Sequence, residues 1–390
     1  LRALHELASS QAENVKKWLN EAVILIDPCV NPDGRDRYVN WFNSVVGKRG
    51  DPNIESLEHI EPWPSGRFNH YCFDLNRDWA FMTQIETEQR IAEFTRWTPQ
   101  VYVDYHEMSA ESSYFFFPAE KPINSNFPPM TVKWGEIFGR GNAKAFDEKG
   151  WDYYTAEDFD LFFPGYGDSW PSLHGAIGMT YEQAGHGRAG ITVRRRDGTI
   201  LTLADRVDHH YATSLATIET AVTHREALLA DFFDFRRSAN EEGRGGSVRE
   251  VLLVPGEDAE RAGRWVTLLV RQGIEVQRAT KSFSVRGATD YTGREHEERS
   301  FPEGSYIVSL AQPAKRLIKT LLEPRTKIAE LFFYDIAAWS LPLAYGVEAY
   351  WLAQPSAAES AVVTAAFKPV GSVADGAVGY GGLLRFDHIA

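Results

Sequence analysis

"QVYVDYH" (residues 100–106) runs from apolar, β-prone residues into an aspartate and a histidine within seven positions. Two other stretches share that shape: "AVILIDP" (22–28) ends in an aspartate, and "AIGMTYEQ" (176–183) ends in a glutamate and a glutamine. Short apolar runs of this length suit strands of a mostly parallel sheet, buried on both faces. Such strands deliver their reactive groups at the carboxyl end. Helical patterns separate them. Thr83 to Trp97 opens with Thr83-x-x-Glu86, a capping-box pattern, and stops before Pro99. A second helix is expected over Met130 to Lys149. A third runs from Ala204 to about Ser238, with Val207, Tyr211, Leu215, Ile218 and Val222 on one stripe that packs across the sheet. "NPDGRDR" (31–37) reads as a turn after the first strand, and the first twenty residues as an amphipathic helix.

Beyond Ser238 the pattern pauses and restarts. "ANEEGRGGS" (239–247) has the composition of a linker. After it come "VREVLLVP" as strand, "DAERAGRWVTLLVRQG" as helix, "IEVQRA" and "YIVSL" as strands, and "PAKRLIKTLL" as helix. The expected fold is therefore α/β: a mixed central sheet with helices on both faces over residues 1–238, a linker at 239–247, and a smaller α/β domain over 248–390. A chain of 390 residues suits two domains.

A formal net charge of −13 disfavours nucleic acid and anionic lipid as partners, because it repels both. The dense basic run Arg194, Arg195 and Arg196, before "DGT", reads as an exposed hairpin or loop. No stretch of 18 apolar residues encodes a membrane span. Two cysteines, Cys29 and Cys72, are too few for a disulfide framework and leave a single bridge open.

Four motifs stand at the ends of these elements: "NPDG" (31–34), "GRFNHYCFDLNR" (66–77), "DYHE" (104–107) and "TYEQ" (180–183). Together, in this order, they resemble the zinc carboxypeptidase family, the carboxypeptidase A-like metallocarboxypeptidases, over residues 1 to about 238. The resemblance implies hydrolysis at a free peptide C-terminus by a metal-activated water. It assigns Arg77 and Asn76 to the substrate carboxylate, a role that suits arginine's planar fork. Adjacent residues on a regular strand face opposite ways, so both reach one carboxylate only where the backbone is irregular. It assigns Arg67 to the oxyanion of the tetrahedral intermediate, His106 to zinc, Glu182 to the proton of the attacking water, and Asp74 to orienting a ligand histidine. Tyr166 in "PGYGDSW" is the choice for a tyrosine covering bound substrate, with Tyr153 or Tyr154 as alternatives.

The family draws its other two zinc ligands from an H-x-x-E motif, and no histidine here is followed by glutamate at the third position. The helix with which the chain begins follows that motif in the family. One zinc ion is thus expected, with two ligands upstream of residue 1, and the chain is read as an excerpt of a longer protein. The second unit resembles the glutamine-amidotransferase-like domain of some large bacterial carboxypeptidases. With no cysteine beyond residue 72 it lacks Cys–His chemistry, and a structural or substrate-restricting role is expected. Asp208, His209 and His210 point in different directions on a helix and read as structural. Arg35 and Arg37 read either as loop residues or as an extension of the substrate site. Two other readings stay open: a non-catalytic module that binds peptide tails through Asn76 and Arg77, and an amidase acting on cell-wall peptides or other acyl groups. The expected partners are peptide or protein C-termini, and the family branch suggests a secreted or periplasmic setting.

Overall fold

The structure, a computed structural model, describes residues 1–256, 258–328, 338–364 and 366–368. Two short helices, α1 (Arg2–Ser9) and α2 (Glu13–Glu21), open the chain where one was expected. Residues 22–28 do not form a strand. The segment joins no ladder among the described residues, and most of its side chains face solvent. Ala22 and Ile24 pack with Val15, Trp18 and Val222, whereas Val23, Leu25 and Ile26 are 74%, 52% and 38% exposed. The expected turn at 31–37 is the start of helix α3 (Pro32–Val45). Asn31 accepts from Gly34 N at 2.9 Å, and Pro32 takes the first helical position, where no donor is needed.

Helix α4 (Ile85–Trp97) keeps the expected length, but the capping box does not form. Asp78 takes its place, accepting from the amides of Thr83 (2.9 Å) and Gln84 (3.0 Å) and from the Thr83 hydroxyl (2.6 Å). The expected strands at 100–106 and 176–183 do form, as β1 (Val101–Ser109) and β5 (Ile177–Gly185), and they pair in parallel. Strand β2 (Tyr114–Phe115) joins β5 on its other side, giving the order β1-β5-β2. Between β2 and β5 lie β3 (Glu120–Ile123), α5 (Pro129–Asp147), β4 (Asp160–Leu161) and the short α6 (Ser169–Leu173).

The arginine run is a hairpin, as expected: β6 (Thr192–Arg194) pairs antiparallel with β7 (Ile200–Thr202). The single long helix is two, α7 (Leu203–Thr223) and α8 (Arg225–Gly245), separated at His224, whose ring packs edge-on to Trp134 at 6.1 Å. The stretch read as a linker is helical through Gly245. Its glycine serves close approach rather than flexibility, since a Cβ on Gly243 would lie 2.0 Å from the Leu310 carbonyl.

The remaining described elements are β8 (Glu250–Val254), α9 (Ala259–Arg271), β9 (Gln277–Ala279), β10 (Phe283–Asp290), β11 (Glu295–Phe301), β12 (Tyr306–Ser309), α10 (Lys315–Leu322), α11 (Leu341–Ala344), β13 (Glu348–Leu352) and β14 (Ser360–Val362). The strands form one antiparallel sheet in the order β11-β10-β13-β8-β12-β9-β14. The β10–β11 hairpin and β13 were not foreseen, and the part of this unit beyond residue 368 lies outside the described residues. Val251, Leu253 and Val308 point to one face; Leu252 and Ile307, one residue out of step, point to the other.

No separation of cores follows the glycine-rich stretch. Trp79, Phe94, Trp170 and Leu173 share a buried cluster with Val251, Trp265, Leu269, Leu317 and Leu321. Buried hydrogen bonds cross the same contact: Trp170 Nε1 donates to Gln272 Oε1 (2.7 Å), Gln272 Nε2 to the Ala80 carbonyl (3.1 Å), and Asn126 Nδ2 to Thr320 Oγ1 (2.9 Å).

Candidate functional site

The parallel register sets His106 opposite Glu182 and Asp104 opposite Thr180. Side chains two apart on a strand share a face. Asp104, His106, Thr180 and Glu182 therefore line one face of the β1–β5 pair, while Tyr105 and Tyr181 line the other. There Tyr181 hydrogen-bonds Thr217 (2.7 Å), and Ser214 donates to Tyr105 (2.9 Å), both from α7. His209 and His210 also belong to that far side, bonded to Gln183 (2.7 Å) and Tyr114 (2.8 Å), which supports their structural reading.

The loop carrying Arg67, Asp74, Asn76 and Arg77 is fixed from beneath. Arg37 donates to the carbonyls of Ser65 (2.7 Å), Phe68 (2.9 Å) and Asn69 (3.0 Å). Asn31 donates to the Arg67 carbonyl at 3.1 Å, and Asn69 Oδ1 accepts from the amides of Tyr71 (3.1 Å) and Phe73 (3.0 Å). Arg37 thus organises the loop, and Arg35 pairs with Asp36 at 3.0 Å. The loop ends in a 3₁₀ turn, Leu75–Arg77, the irregular backbone that two adjacent residues need to address one cavity.

Asp74 caps this turn, accepting from Asn76 N (2.9 Å) and from Arg67 Nε (2.9 Å), with Arg77 at 3.8 Å. No histidine is its partner among the described residues. The carboxylate on His106 is Asp104, 2.9 Å from Nε2. The signal for Asp104 was present in the sequence: it precedes His106 by two on a strand, hence on the same face. Asn76 Nδ2 lies 3.3 Å from the same His106 nitrogen, and Asn76 Oδ1 accepts from Gly167 N at 2.8 Å, which fixes the amide's orientation. One ring nitrogen cannot both donate to Asp104 and accept from Asn76. With the ion pair formed, the Asn76 N–H is left for another acceptor.

Burial acts to lower the His106 pKa, but the Asp104 carboxylate beside it overcomes this and pushes it up to about 9. Asp104 is itself buried, which would raise its pKa, yet His106 holds it below the usual carboxylate range. Glu182 is pushed up to about 7 by burial, against the pull of His106 and Arg67. It is 7% exposed, and its Oε2 has no hydrogen-bond partner in the structure. Asp168, unnoticed in the sequence because nothing in "GYGDSW" singles it out, is buried and raised to about 6 by desolvation. It accepts from Thr180 (2.8 Å) and Ser169 (3.0 Å). The neighbouring Gly167 must lack a side chain, since its Cβ would lie 2.2 Å from Asp104 Oδ2.

Arg67, Asp74, Asn76, Arg77, His106, Tyr166 and Glu182, all singled out from sequence, line one cavity of about 430 Å³. Tyr166 is buried, its ring 4.7 Å beneath the Arg77 guanidinium, so it supports Arg77 rather than standing free over the opening. Tyr154 bonds Met108 Sδ (3.0 Å) and Asp158 (3.2 Å) at the side, and both cysteines are free. Zinc fits poorly with what is here. Among the described residues no three His, Cys, Asp or Glu side chains are gathered to hold a metal ion, and the assigned imidazole, His106, turns its Nε2 toward Asp104.

The fold and cavity define an α/β protein with arginines, an amide and a buried carboxylate converging at the ends of two parallel strands. Residues 1–116 match the profile of the zinc carboxypeptidase family. That span holds Arg67, Asp74, Asn76, Arg77 and His106, while Glu182 lies beyond it. No curated protein matches the chain. A solved metallo-carboxypeptidase from Burkholderia cenocepacia superposes with a TM-score of 0.29 at 14% identity, covering 43% of this chain and 40% of that one. The chain thus spans less than half of that protein. No helix among the described residues is long and apolar enough to cross a membrane.

Proposed function

We propose that this chain carries the substrate-holding and proton-accepting parts of a carboxypeptidase-type peptidase acting on peptides with a free C-terminus. The observation that carries this reading is Glu182: a buried carboxyl with a free oxygen, raised to about 7, in one cavity with Arg67, Asn76 and Arg77. Arg77 and the Asn76 amide receive the peptide carboxylate, the guanidinium held from below by Tyr166. Arg67, fixed by Asp74, faces charge developing on the attacked carbonyl oxygen. Glu182, ionised above about pH 7, takes a proton from water and returns it to the leaving amine.

The family profile implies zinc, which would polarise the carbonyl and activate the water. The cavity lining holds two imidazoles, His106 and His186, but no gathered set of three ligands among the described residues, so the roles assigned here belong to the chain's own side chains. That same observation favours a second reading, a module that binds peptide tails without cleaving them. The division of the chain into a peptidase part over residues 1–238, a linker at 239–247 and a smaller α/β part over 248–390, and an exported setting, are likewise proposals.

Peptides ending in a free carboxylate or an amide, incubated with the 390-residue chain with and without added zinc, separate the readings. Release of the last residue from the free acid only, falling at least about 100-fold in Glu182→Gln, is expected of the peptidase. Binding without release supports the tail-binding module. Equal release from the amide would reject the carboxylate clamp and favour an amidase.

A further inference from the structure

A second and larger cleft, of about 950 Å³, adjoins the proposed catalytic cavity, and Ser109 and His186 line both. Their order along the strands is fixed by the register. Asp104 and Thr180 come first, His106 and Glu182 next, then Ser109 and Gly185, with His186 just past the strand end. Ser109 lies three residues beyond His106, so the cleft begins ~10 Å from the reacting centre, on the side away from Asp104. A peptide seated with its carboxylate on Arg77 and its last bond at Glu182 would run its preceding residues into that cleft.

The cleft is lined by Arg188 and by Arg194, Arg195 and Arg196 of the β6–β7 hairpin, set against three carboxylates, Asp51, Glu55 and Glu111. Two of those carboxylates are engaged with backbone: Asp51 accepts from Asn53 N (2.9 Å) and Glu111 from Arg196 N (3.0 Å). None of the four guanidinium groups forms an ion pair with a described residue. Arg195 is half-buried, with its Nε lacking a hydrogen-bond partner. In a chain of net charge −13, these four arginines gather at the far end of the proposed substrate path, three of them exposed and only Arg195 feeling nearby acids, Asp197 and Asp205. Among the lining residues alone, four arginines face three carboxylates, an excess of one positive charge that suits a single carboxylate. The same three acids disfavour a polyanion.

We infer that this cleft is a subsite for an acidic side chain of the peptide, about three residues upstream of the bond to be cleaved. The inference rests on the reading of the neighbouring cavity as a peptide C-terminus site and adds a substrate preference to it. Isothermal titration of the 390-residue chain with two hexapeptides, identical except for Glu or Gln at the fourth position from the C-terminus, tests it; the Glu peptide with an amidated end is the control. The Glu peptide should bind about fivefold tighter than the Gln peptide, with the gain shrinking as salt rises. Arg195→Gln and Arg188→Gln should each at least halve that ratio, and Arg195→Lys, which keeps the charge, should retain most of it. Equal affinity for the two peptides would overturn the subsite and leave the clamp standing. No binding of either, or undiminished binding of the amidated peptide, would overturn the clamp and the subsite together.

Discussion

The two larger sheets among the described residues are built to opposite specifications. The antiparallel sheet β11-β10-β13-β8-β12-β9-β14 buries apolar side chains on both faces: Val251, Leu253 and Val308 on one, Leu252, Ile307 and Tyr350 on the other. The β1–β5 pair buries Asp104, Thr180 and Glu182 on one face, with His106 partly covered among them. Buried carboxyls cost folding free energy unless paired, and Glu182 keeps one oxygen unpaired. Buried ionisable groups thus mark one of these sheets and not the other, and the contrast is measurable.

The largest loss should come from the apolar sheet's cover. Leu317→Ala in α10, at a fully buried position, should destabilise the chain by about 2–5 kcal/mol in urea unfolding. A smaller loss, about 1–3 kcal/mol, is expected for Gln272→Ala, which leaves the buried Trp170 N–H and Ala80 carbonyl without their partner. If both variants unfold at the wild-type midpoint, the two halves do not share the core described above.

Acidity sharpens the contrast further. Glu182 has a raised pKa in the folded state, so stability falls as pH rises from about 4.5 to about 7, where the unfolded chain has already released that proton. His106 is raised as well, and its ion-pair contribution, complete below about 6.5, is lost as pH rises through about 9. Asp104→Asn should abolish that upper loss, and unfolding midpoints between pH 6 and 9.5 would detect it. Smallest of all, Glu182→Gln should change stability at pH 7 by under about 1 kcal/mol, or raise it, while removing the hydrolysis proposed above. A loss as large as that of Leu317→Ala would mean that Glu182 holds the fold together instead of serving chemistry.

Much of this was legible in the sequence for a definite reason. In β1 and β5 the residue alternation, the apolar start and the ionisable end all agree, so strand, direction and face follow together. Arg67, Asn76, Arg77, His106 and Glu182 meet in one cavity because their motifs stand at element ends. Residues 22–28 misled because an apolar run does not state whether it will find ladder partners, and here it finds none among the described residues. The hairpin β10–β11 was missed because "EHEERS" is polar on both faces, and period-2 reading needs one apolar face. Gly243 stood in a stretch of linker composition, yet it is a helical glycine pressed against the Leu310 carbonyl; composition cannot tell the two uses apart.

The packing of Trp170 against Gln272 has a practical meaning for anyone who would cut this chain. Helix α6 begins at Ser169, beside Asp168, and its buried tryptophan is capped by a side chain more than a hundred residues later. Ending expression near Gly245, the natural place by composition, would expose Trp79, Phe94 and Trp170 to water as one sticky aromatic patch. The first half of the chain is not a detachable part; it has borrowed its floor from the sheet that follows it.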